Sequence, residues 1–244
     1  MAEAALWGFV GGASLLVGAA IALIRAPSAK VLGFIMAFGA GVLISALAFE
    51  LTDEAFRRAG ADAVAIGLTL GALTYFALDA LLDRAGGEQR KSSGGEQADG
   101  SPMAILLGAV LDGIPESAAI GLTLLTGEGV SAALVVAVFL SNVPESLAAA
   151  TGFKAAGWSA ARSLGVWAGV AVVSGLSAAV GYVVLDGAPA NAVGSLQSFA
   201  AGAILVMLVD TMIPEAFKEA NRSKAVGLAT TFGFALAYLL STVE

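Results

Sequence analysis

The sequence of 244 residues contains no cysteine and no histidine. Without cysteine the chain can form no disulfide, no thiolate metal site and no cysteine-based active site. The absence of histidine removes the commonest protein ligand for zinc and its neighbouring transition metals. Any metal ion that this chain binds must therefore be held by oxygen atoms.

Charged residues are also scarce. They make up 13% of the chain, whereas about a quarter of the residues of an average soluble domain are charged. Hydrophobic residues account for 58%, and the mean hydropathy is +0.89. These values predict an integral membrane protein surrounded by a lipid bilayer. The net charge of −7 and the lack of a basic stripe argue against a nucleic-acid partner.

Several apolar stretches come close to the roughly 20 residues that a helix needs to cross the hydrocarbon core. They cover residues 5–24, 31–49, 63–78, 103–126, 130–153, 163–185, 192–209 and 225–243. Their apolar residues are continuous rather than alternating, which excludes membrane β-strands and predicts an all-α integral membrane protein. Residues 86–102, rich in Gly, Ser, Gln and charge, predict a flexible cytoplasmic loop. The other connections are short, so residues 1–244 are expected to form a single transmembrane domain.

The distribution of lysine and arginine predicts how the helices are oriented. Ten of the 12 cations fall in the first, third, fifth and seventh connections: Arg25, Lys30, Arg84, Arg90, Lys91, Lys154, Arg162, Lys218, Arg222 and Lys224. Cytoplasmic connections of membrane proteins are enriched in these two residue types. We therefore expect a multi-pass protein of the cell membrane with both termini on the extracytoplasmic side.

Two segments of the chain resemble one another. Residues 37–56 align without gaps with residues 198–217, with seven identities in twenty positions, including Gly41 with Gly202. The segments belong to the second and seventh predicted helices, which would cross the membrane in opposite directions. This relation predicts an inverted repeat, in which eight transmembrane helices form a 3+2+3 bundle with a binding site near the midplane.

The fourth and fifth predicted helices carry two related acidic signatures, DGIPES at residues 112–117 and SNVPES at residues 141–146. An acidic side chain is costly inside a bilayer and normally faces a protein interior or a water-filled path. Two such signatures at corresponding depths therefore predict one shared polar site. Pro115 and Pro144 each remove a backbone donor, release a carbonyl one turn earlier and kink the helix; Pro214 is a third predicted kink.

The residue types around the first two prolines predict a site for a divalent cation. Asp112 and Glu116 share one helix face, and Ser141 and Glu145 share another, because four residues are about one turn. Asn142 adds an amide oxygen beside them. Carboxylate, amide, hydroxyl and carbonyl oxygens are the ligands of hard divalent cations. A hydrogen bond between helices is the alternative for the serine and the asparagine, and an internally paired acid is the alternative for the glutamates.

Other intramembrane acids fall where a transport path would need them. Glu50 and Asp53 lie near the extracellular end of the second predicted helix and predict an entrance that gathers cations. Asp79, Asp210 and Glu215 lie near the cytoplasmic side and predict an exit. For the last of these, a solvated helix end beside a neighbouring lysine is the alternative.

In this organisation the chain resembles the ZIP (Zrt-, Irt-like) family of divalent-metal transporters. The resemblance rests on eight predicted helices, outside termini, a variable loop after the third helix and the two Pro-Glu signatures, and it covers essentially the whole chain. It implies that Asp112 and Gly113 occupy the positions of a His-Asn pair in the family's motif on the fourth helix. It also implies that Glu116 occupies the position of the glutamate that bridges metal ions in the family. The positions that it implies as ligands on the fifth helix are Ser141, Asn142 and Glu145.

The sequence departs from that family in its ligands. Ala178 stands where many relatives carry a carboxylate on the sixth helix, and the histidine ligands are absent. The resemblance implies uptake of a divalent cation of the zinc, iron or manganese class into the cytoplasm, so that Zn, Fe, Mn or Cd is substrate rather than cofactor. Ligands that are all oxygen favour Mn²⁺, Fe²⁺ or Mg²⁺ over tightly bound zinc.

Two other functions stay open at this point. The chain could conduct protons or Na⁺, or it could be a homologue that binds metal without transporting it. An enzyme is not expected, because the sequence contains no phosphate-cradling loop and no serine in a nucleophile-base arrangement. The expected partners are a divalent metal ion and the lipid bilayer, with a homodimer as one open assembly.

Overall fold

The computed structural model of the chain describes residues 1–87, 102–127 and 129–242, which fold into helices joined by short connections. The helices are α1 (Ala2–Arg25), α2 (Ala29–Ala46), α3 (Asp53–Leu82), α4 (Pro102–Thr123), α5 (Ala132–Ala155), α6 (Ala160–Leu185), α7 (Ala190–Met207), α8 (Ile213–Glu219) and α9 (Ala225–Ser241). Within these residues, six helical stretches are long and apolar enough to cross a membrane, and α9 is a shorter apolar helix. The prediction of an all-helical chain compatible with a membrane protein is confirmed. Most of the predicted loop at 86–102, from residue 88 to residue 101, lies outside the described residues.

Serine side chains mark the starts of three helices. Ser28, Ser131 and Ser159 each precede a helix and accept a hydrogen bond from the backbone N–H three residues later. Such a cap satisfies one of the backbone donors that the first helical turn leaves without an intrahelical partner. The short polar connections of the sequence therefore become defined helix ends.

The stretch between the second and third apolar runs is helical, which hydropathy alone does not indicate. α2 continues through a π-helical turn, Leu47–Thr52, directly into α3. α3 is itself interrupted at Gly60, whose φ of 79° and ψ of 173° are not helical. The charged residues of this stretch support a helix, because Asp53 pairs with Arg57 at 2.7 Å and Glu54 with Arg58 at 2.5 Å, each one turn apart.

A π-helical turn also joins α7 to α8, at Leu208–Met212. Pro214 lies in the first turn of α8, where its missing N–H has no intrahelical acceptor to lose. The predicted kink at this proline is therefore a junction between two helical segments. In the internal alignment of the sequence Leu47 pairs with Leu208, so the π turns at Leu47–Thr52 and Leu208–Met212 begin at the same aligned position. Such local widening of a helix occurs frequently at functional sites.

The helices pack in two sets. α1 packs against α5 and α6, and α4 packs against α6; we call α1, α4, α5 and α6 the motif group, because they include both acidic signatures. α2 packs against α9 and α3 packs against α7, and we call these four helices the frame group. The two groups meet where α2 contacts α5 and where α4 contacts α7 and α3.

Glycines allow the backbones of the paired helices in the frame group to come into close contact. At four of them an added Cβ would collide with a carbonyl oxygen of the facing helix. These collisions are Gly41 with Thr230, Gly202 with Leu68, Gly71 with Phe199 and Gly233 with Phe38. The pairs α2–α9 and α3–α7 are therefore held together through close backbone contact, as is common between membrane helices.

Large apolar side chains cover the outside of the bundle, while several acidic side chains lie inside it. On α3, Leu70, Leu73 and Phe76 are more than half exposed, whereas Asp79 on the same helix is 2% exposed. Extended apolar surface of this kind marks a region that contacts lipid or another protein. The distribution agrees with a multi-pass protein whose polar groups face one another across the interior.

Candidate functional site

The signature on α4 lies in the interior of the bundle. Asp112 and Glu116 are each 1% exposed, and Pro115 stands between them within the helix. Because they are four residues apart, the two carboxyl groups emerge from the same side of α4. Two acids at this depth require polar partners, since burial of a charge without compensation is strongly unfavourable.

One partner of the α4 signature comes from a residue that the sequence analysis did not select. The hydroxyl of Tyr75, on α3, donates a hydrogen bond to Oδ1 of Asp112. Tyr75 is 2% exposed, so the bond is inaccessible to lipid. The sequence contained one signal for Tyr75. It lies four residues before Asp79, so the two side chains share one face of α3, and an acid in an apolar helix is expected to face the interior.

The signature on α5 is also buried. Ser141, Asn142 and Glu145 are 2%, 4% and 8% exposed, respectively. The amide nitrogen of Asn142 donates to the carbonyl oxygen of Gly11 on α1 at 3.3 Å. The hydroxyl of Ser141 donates to the carbonyl of Val138 in its own helix at 2.9 Å. These bonds use donor atoms, so the oxygens of both side chains are the atoms that could bind a cation.

Helix α1 lies between the two signature helices. An added Cβ at Gly11 would stand 3.1 Å from the side chain of Ile120 on α4 and 3.4 Å from that of Val138 on α5. The missing side chain therefore lets α1 contact both helices at one point. The same glycine supplies the carbonyl that Asn142 binds, so α1 positions the α5 signature directly.

Proline in α5 places a carbonyl at the boundary between the two helix groups. Pro144 lacks the N–H that would bind the carbonyl of Leu140. That carbonyl oxygen faces α2, where an added Cβ at Gly39 would lie 3.1 Å away. The structure thus leaves this oxygen at a backbone contact between α5 and α2.

The five predicted ligands are all buried, but their carboxylates are not gathered into a compact cluster. Among residues 1–87, 102–127 and 129–242, no group of three or more Asp or Glu side chains is close enough to hold a metal ion. Two of the five predicted ligands, Ser141 and Asn142, are neutral oxygen donors. The ligand set as a whole, which combines three carboxylates with these two neutral donors, therefore remains a prediction.

The acids predicted as an entrance line one cavity of about 850 Å³, which also contains Glu54 and which we call the Glu50 cavity. The carboxylate of Glu50 accepts a hydrogen bond from the hydroxyl of Ser131, at the start of α5, at 2.8 Å. Arg58, paired with Glu54, also donates to the carbonyl of Thr126 at 3.2 Å. The cavity therefore lies between the frame group and the α4–α5 connection.

The acids predicted as an exit occupy different environments. Asp79 is buried, Asp210 is exposed, and Glu215 is partly buried with Lys218 at 3.7 Å. Glu219, which the sequence analysis did not select, is 6% exposed at the end of α8. The structure does not bring these acids into one described cavity, and their role in a path remains a prediction.

Position 178 has no room for a larger side chain. Ala178 is fully buried on α6, and its Cβ lies where an added Cβ at Gly8 of α1 would collide with it. An added Cβ at Gly121 of α4 would collide with the carbonyl oxygen of Ala178. Ala178 therefore lies in a close contact of three helices, where a carboxylate side chain would have to displace a neighbouring helix.

A buried amide on α7 was also missed by the sequence analysis. Gln197 is 0% exposed, and neither its Oε1 nor its Nε2 has a hydrogen-bond partner within the described residues. Leaving both ends of an amide unsatisfied costs a few kcal/mol, on the order of 1–3 per group. A single glutamine in an apolar helix gives no periodic signal, so only the structure reveals its burial.

Comparison with known proteins agrees with the membrane character of the chain. No protein-family model matches it. A protein of Arabidopsis thaliana named "Putative zinc transporter At3g08650" is 27% identical over 214 residues. The match covers 86% of this chain but 34% of the relative, so the chain spans about a third of that protein's length. The chain is thus similar to part of a protein that is named as a transporter, which agrees with its apolar helices.

Proposed function

We propose that this protein is a ZIP-like carrier that moves divalent metal cations into the cytoplasm through a site between α4 and α5. The main support is the burial of the five predicted ligands. Their oxygen-bearing side chains lie on two apolar helices that each contain a proline, α4 and α5, and all are less than a tenth exposed. Burial of polar groups on this scale in a lipid-facing bundle is costly and typical of a substrate path. The name of the Arabidopsis relative supports a metal substrate.

The proposed topology has eight spans in a 3+2+3 inverted repeat with both termini outside. The helical stretch from residue 29 to residue 86 counts as two spans, because Gly60 interrupts it outside the apolar runs. Support for the repeat comes from the π turns at aligned positions. Further support comes from reciprocal packing, since Phe38 faces Gly233 and its aligned residue Phe199 faces Gly71.

Transport in this proposal is a movement of the motif group relative to the frame group. The motif group carries all five proposed ligands and is internally well packed. The frame group has its own backbone-level contacts and borders the site through α2, α3 and α7. Displacement at the boundary would expose the site to the Glu50 cavity and then to the opposite side.

The donor set supports a labile divalent cation. Carboxylate, amide and hydroxyl oxygens bind Mn²⁺, Fe²⁺ and Mg²⁺ well and leave Zn²⁺ and Cd²⁺ without their preferred nitrogen or sulfur ligands. Weak binding suits a carrier, because the cation has to leave the site. The second candidate substrate is a monovalent cation, which the lack of a three-carboxylate cluster among the described residues favours.

The test is uptake by proteoliposomes that contain the full chain, with Mn²⁺, Fe²⁺, Zn²⁺, Cd²⁺ and Mg²⁺ offered separately and Na⁺ and proton flux measured in parallel. Saturable uptake of a divalent cation, lost in Glu116→Gln and kept in the exposed control Asp62→Asn, supports the proposal. Flux of Na⁺ or protons that divalent cations do not inhibit supports the second candidate. A protein that binds Mn²⁺ but moves no cation is a binding homologue, and the transport proposal then fails.

A further inference from the structure

Tyr75 stands out among the residues that surround the candidate site. It is a fully interior tyrosine on α3, a helix whose neighbouring side chains Leu73 and Phe76 face outward and are more than half exposed. A buried tyrosine usually has a partner for its hydroxyl. Here that partner is Asp112, the first acid of the α4 signature.

This hydrogen bond crosses the boundary between the two helix groups. Tyr75 belongs to the frame group through α3, whereas Asp112 belongs to the motif group through α4. A second side-chain bond of a signature, from Asn142 to the carbonyl of Gly11, stays within the motif group. The α3–α4 contact is small compared with the packing inside each group, and the Tyr75–Asp112 bond is one of the polar interactions within it.

The chemistry of the bond makes it competitive with cation binding. A phenol that donates to a carboxylate oxygen occupies a lone pair and reduces the negative charge available at that oxygen. A divalent cation that binds this carboxylate draws on the same negative charge, and it competes with the hydroxyl for the oxygen that both contact. Occupancy of Asp112 by a cation and attachment of α4 to α3 through Tyr75 therefore oppose each other.

We propose that Tyr75 is a positioning residue of the cation site, whose hydroxyl tethers Asp112 to the frame group and is displaced when a cation binds that carboxylate. This inference rests on the proposed function. It gives the carrier a physical link between substrate binding and movement, because the cation loosens the contact that holds the two groups together. A ligand shifts an equilibrium between two states only as far as its affinities for the two states differ. Here the cation binds more tightly when the Tyr75 hydroxyl does not contact Asp112, so it favours the untethered state.

A purely structural role makes a different prediction. If the hydroxyl serves only to satisfy a buried carboxylate, its removal destabilises the protein and leaves the affinity for cations unchanged. If it competes with the cation, its removal raises the affinity for cations. Tyr75→Phe removes the hydroxyl and keeps the ring, so it separates the two readings.

The first experiment compares Tyr75→Phe with the wild type in uptake by proteoliposomes, using the divalent cation that the wild type transports best. We expect KM to fall about tenfold or more, as loss of a competing hydrogen bond to a charged group predicts. Tyr238→Phe is the matched control, because Tyr238 is 44% exposed on α9 and lies against Phe49. A KM for Tyr75→Phe that is unchanged or higher overturns the proposal.

The second experiment follows the tether without relying on transport. The chain contains no cysteine, so Gly113→Cys introduces a single thiol beside Asp112. Position 113 tolerates a side chain, because an added Cβ meets Ser174 Oγ at 3.6 Å, an ordinary contact. We expect a water-soluble maleimide to label this thiol at least about threefold faster when Tyr75→Phe is also present, since the loosened boundary samples open states more often.

Equal labelling rates with and without the hydroxyl overturn the tether. If the wild type moves none of the cations, the proposed function fails, and the labelling comparison alone decides whether Tyr75 holds the two groups together. Melting temperature and elution volume are measured for every variant. A Tyr75→Phe protein that is less stable, with unchanged KM and unchanged labelling, identifies Tyr75 as structural and overturns the proposal.

Discussion

The two acidic signatures have the same motif but different neighbours. On α4, Asp112 accepts a hydrogen bond from Tyr75 of the frame group. On α5, Asn142 donates to the carbonyl of Gly11, which belongs to the same motif group. The bond of Asp112 therefore crosses the boundary between the helix groups, and the bond of Asn142 stays within the motif group.

The difference shows that a repeated motif does not by itself fix a shared role. In the proposed mechanism, the α5 signature keeps a constant position relative to α1, while the α4 signature is the one whose contacts change. The residues that cause this asymmetry, Tyr75 and Gly11, lie outside both motifs. Variants of each signature are expected to differ accordingly.

The largest effect is expected from removing the charge of either glutamate. Glu116→Gln and Glu145→Gln keep the size of the side chain, and we expect each to abolish uptake in proteoliposomes. The physical reason is that an amide oxygen carries much less negative charge than a carboxylate toward a hard cation. Asp62→Asn, on an exposed position, is the control for a charge change alone. Undiminished flux in both glutamine variants would contradict the assignment of the site.

The next largest effect is expected at position 178, beside the α4 signature. Ala178→Glu restores an acid at a position where the resemblance to the ZIP family implies one. We expect loss of folded protein rather than stronger binding, because the facing backbones of α1 and α4 leave no space. The measurement is the yield and melting temperature of purified protein, with Ala190→Glu at the exposed start of α7 as control. A stable Ala178→Glu protein with higher metal affinity would show that the helices can separate.

A smaller and unequal pair of effects is expected at the first residue of each signature. Asp112→Asn removes a charge, and we expect KM for the cation to rise about tenfold or more, since charged contacts of this kind contribute a few kcal/mol. Ser141→Ala removes a neutral oxygen, and we expect KM to change by less than about threefold. Uptake kinetics at several cation concentrations measure both values. Equal effects in the two variants would remove the distinction between the signatures.

The smallest effect is expected from Asn142→Ala, and the quantity that changes is the stability of the folded protein. The carbonyl of Gly11 also accepts a hydrogen bond from the hydroxyl of Ser14, so loss of the amide leaves that carbonyl satisfied. We expect a cost of about 1 kcal/mol, which corresponds to a decrease of roughly 2–4 °C in melting temperature for a chain of this size. Asn191→Ala, on the exposed start of α7, is the control. A decrease beyond 10 °C would mean that Asn142 anchors more than one helix.

Sequence patterns predicted the apolar helices well, because long continuous runs of Ala, Val, Ile and Leu have few alternatives in a bilayer. They did not indicate that the helix continues through residues 50–62, between two predicted apolar stretches. Pairs of acid and base one turn apart, such as Glu54 with Arg58, instead continue the helix beyond the apolar region. Hydropathy measures affinity for lipid, whereas helix formation also depends on these local pairs.

The candidate site was predictable in part. Acids beside prolines in apolar helices are conspicuous, and the structure places all five selected side chains in the interior. Tyr75 and Gln197 were missed, because their importance comes from which helix faces them, and a single sequence does not specify packing partners. The π turns were missed for a related reason, since residues that form an α-helix and a π-helical turn are of the same types.

The close glycine contacts of the frame group have a consequence for the surrounding lipid. Pairs of helices that touch through their backbones cannot easily shear or splay, so α2 with α9 and α3 with α7 would respond to a thinner or thicker bilayer by tilting as stiff units. Such tilting would strain the boundary with the signature helices. The turnover of the reconstituted protein is therefore expected to depend on acyl-chain length, even though no lipid has to touch the site.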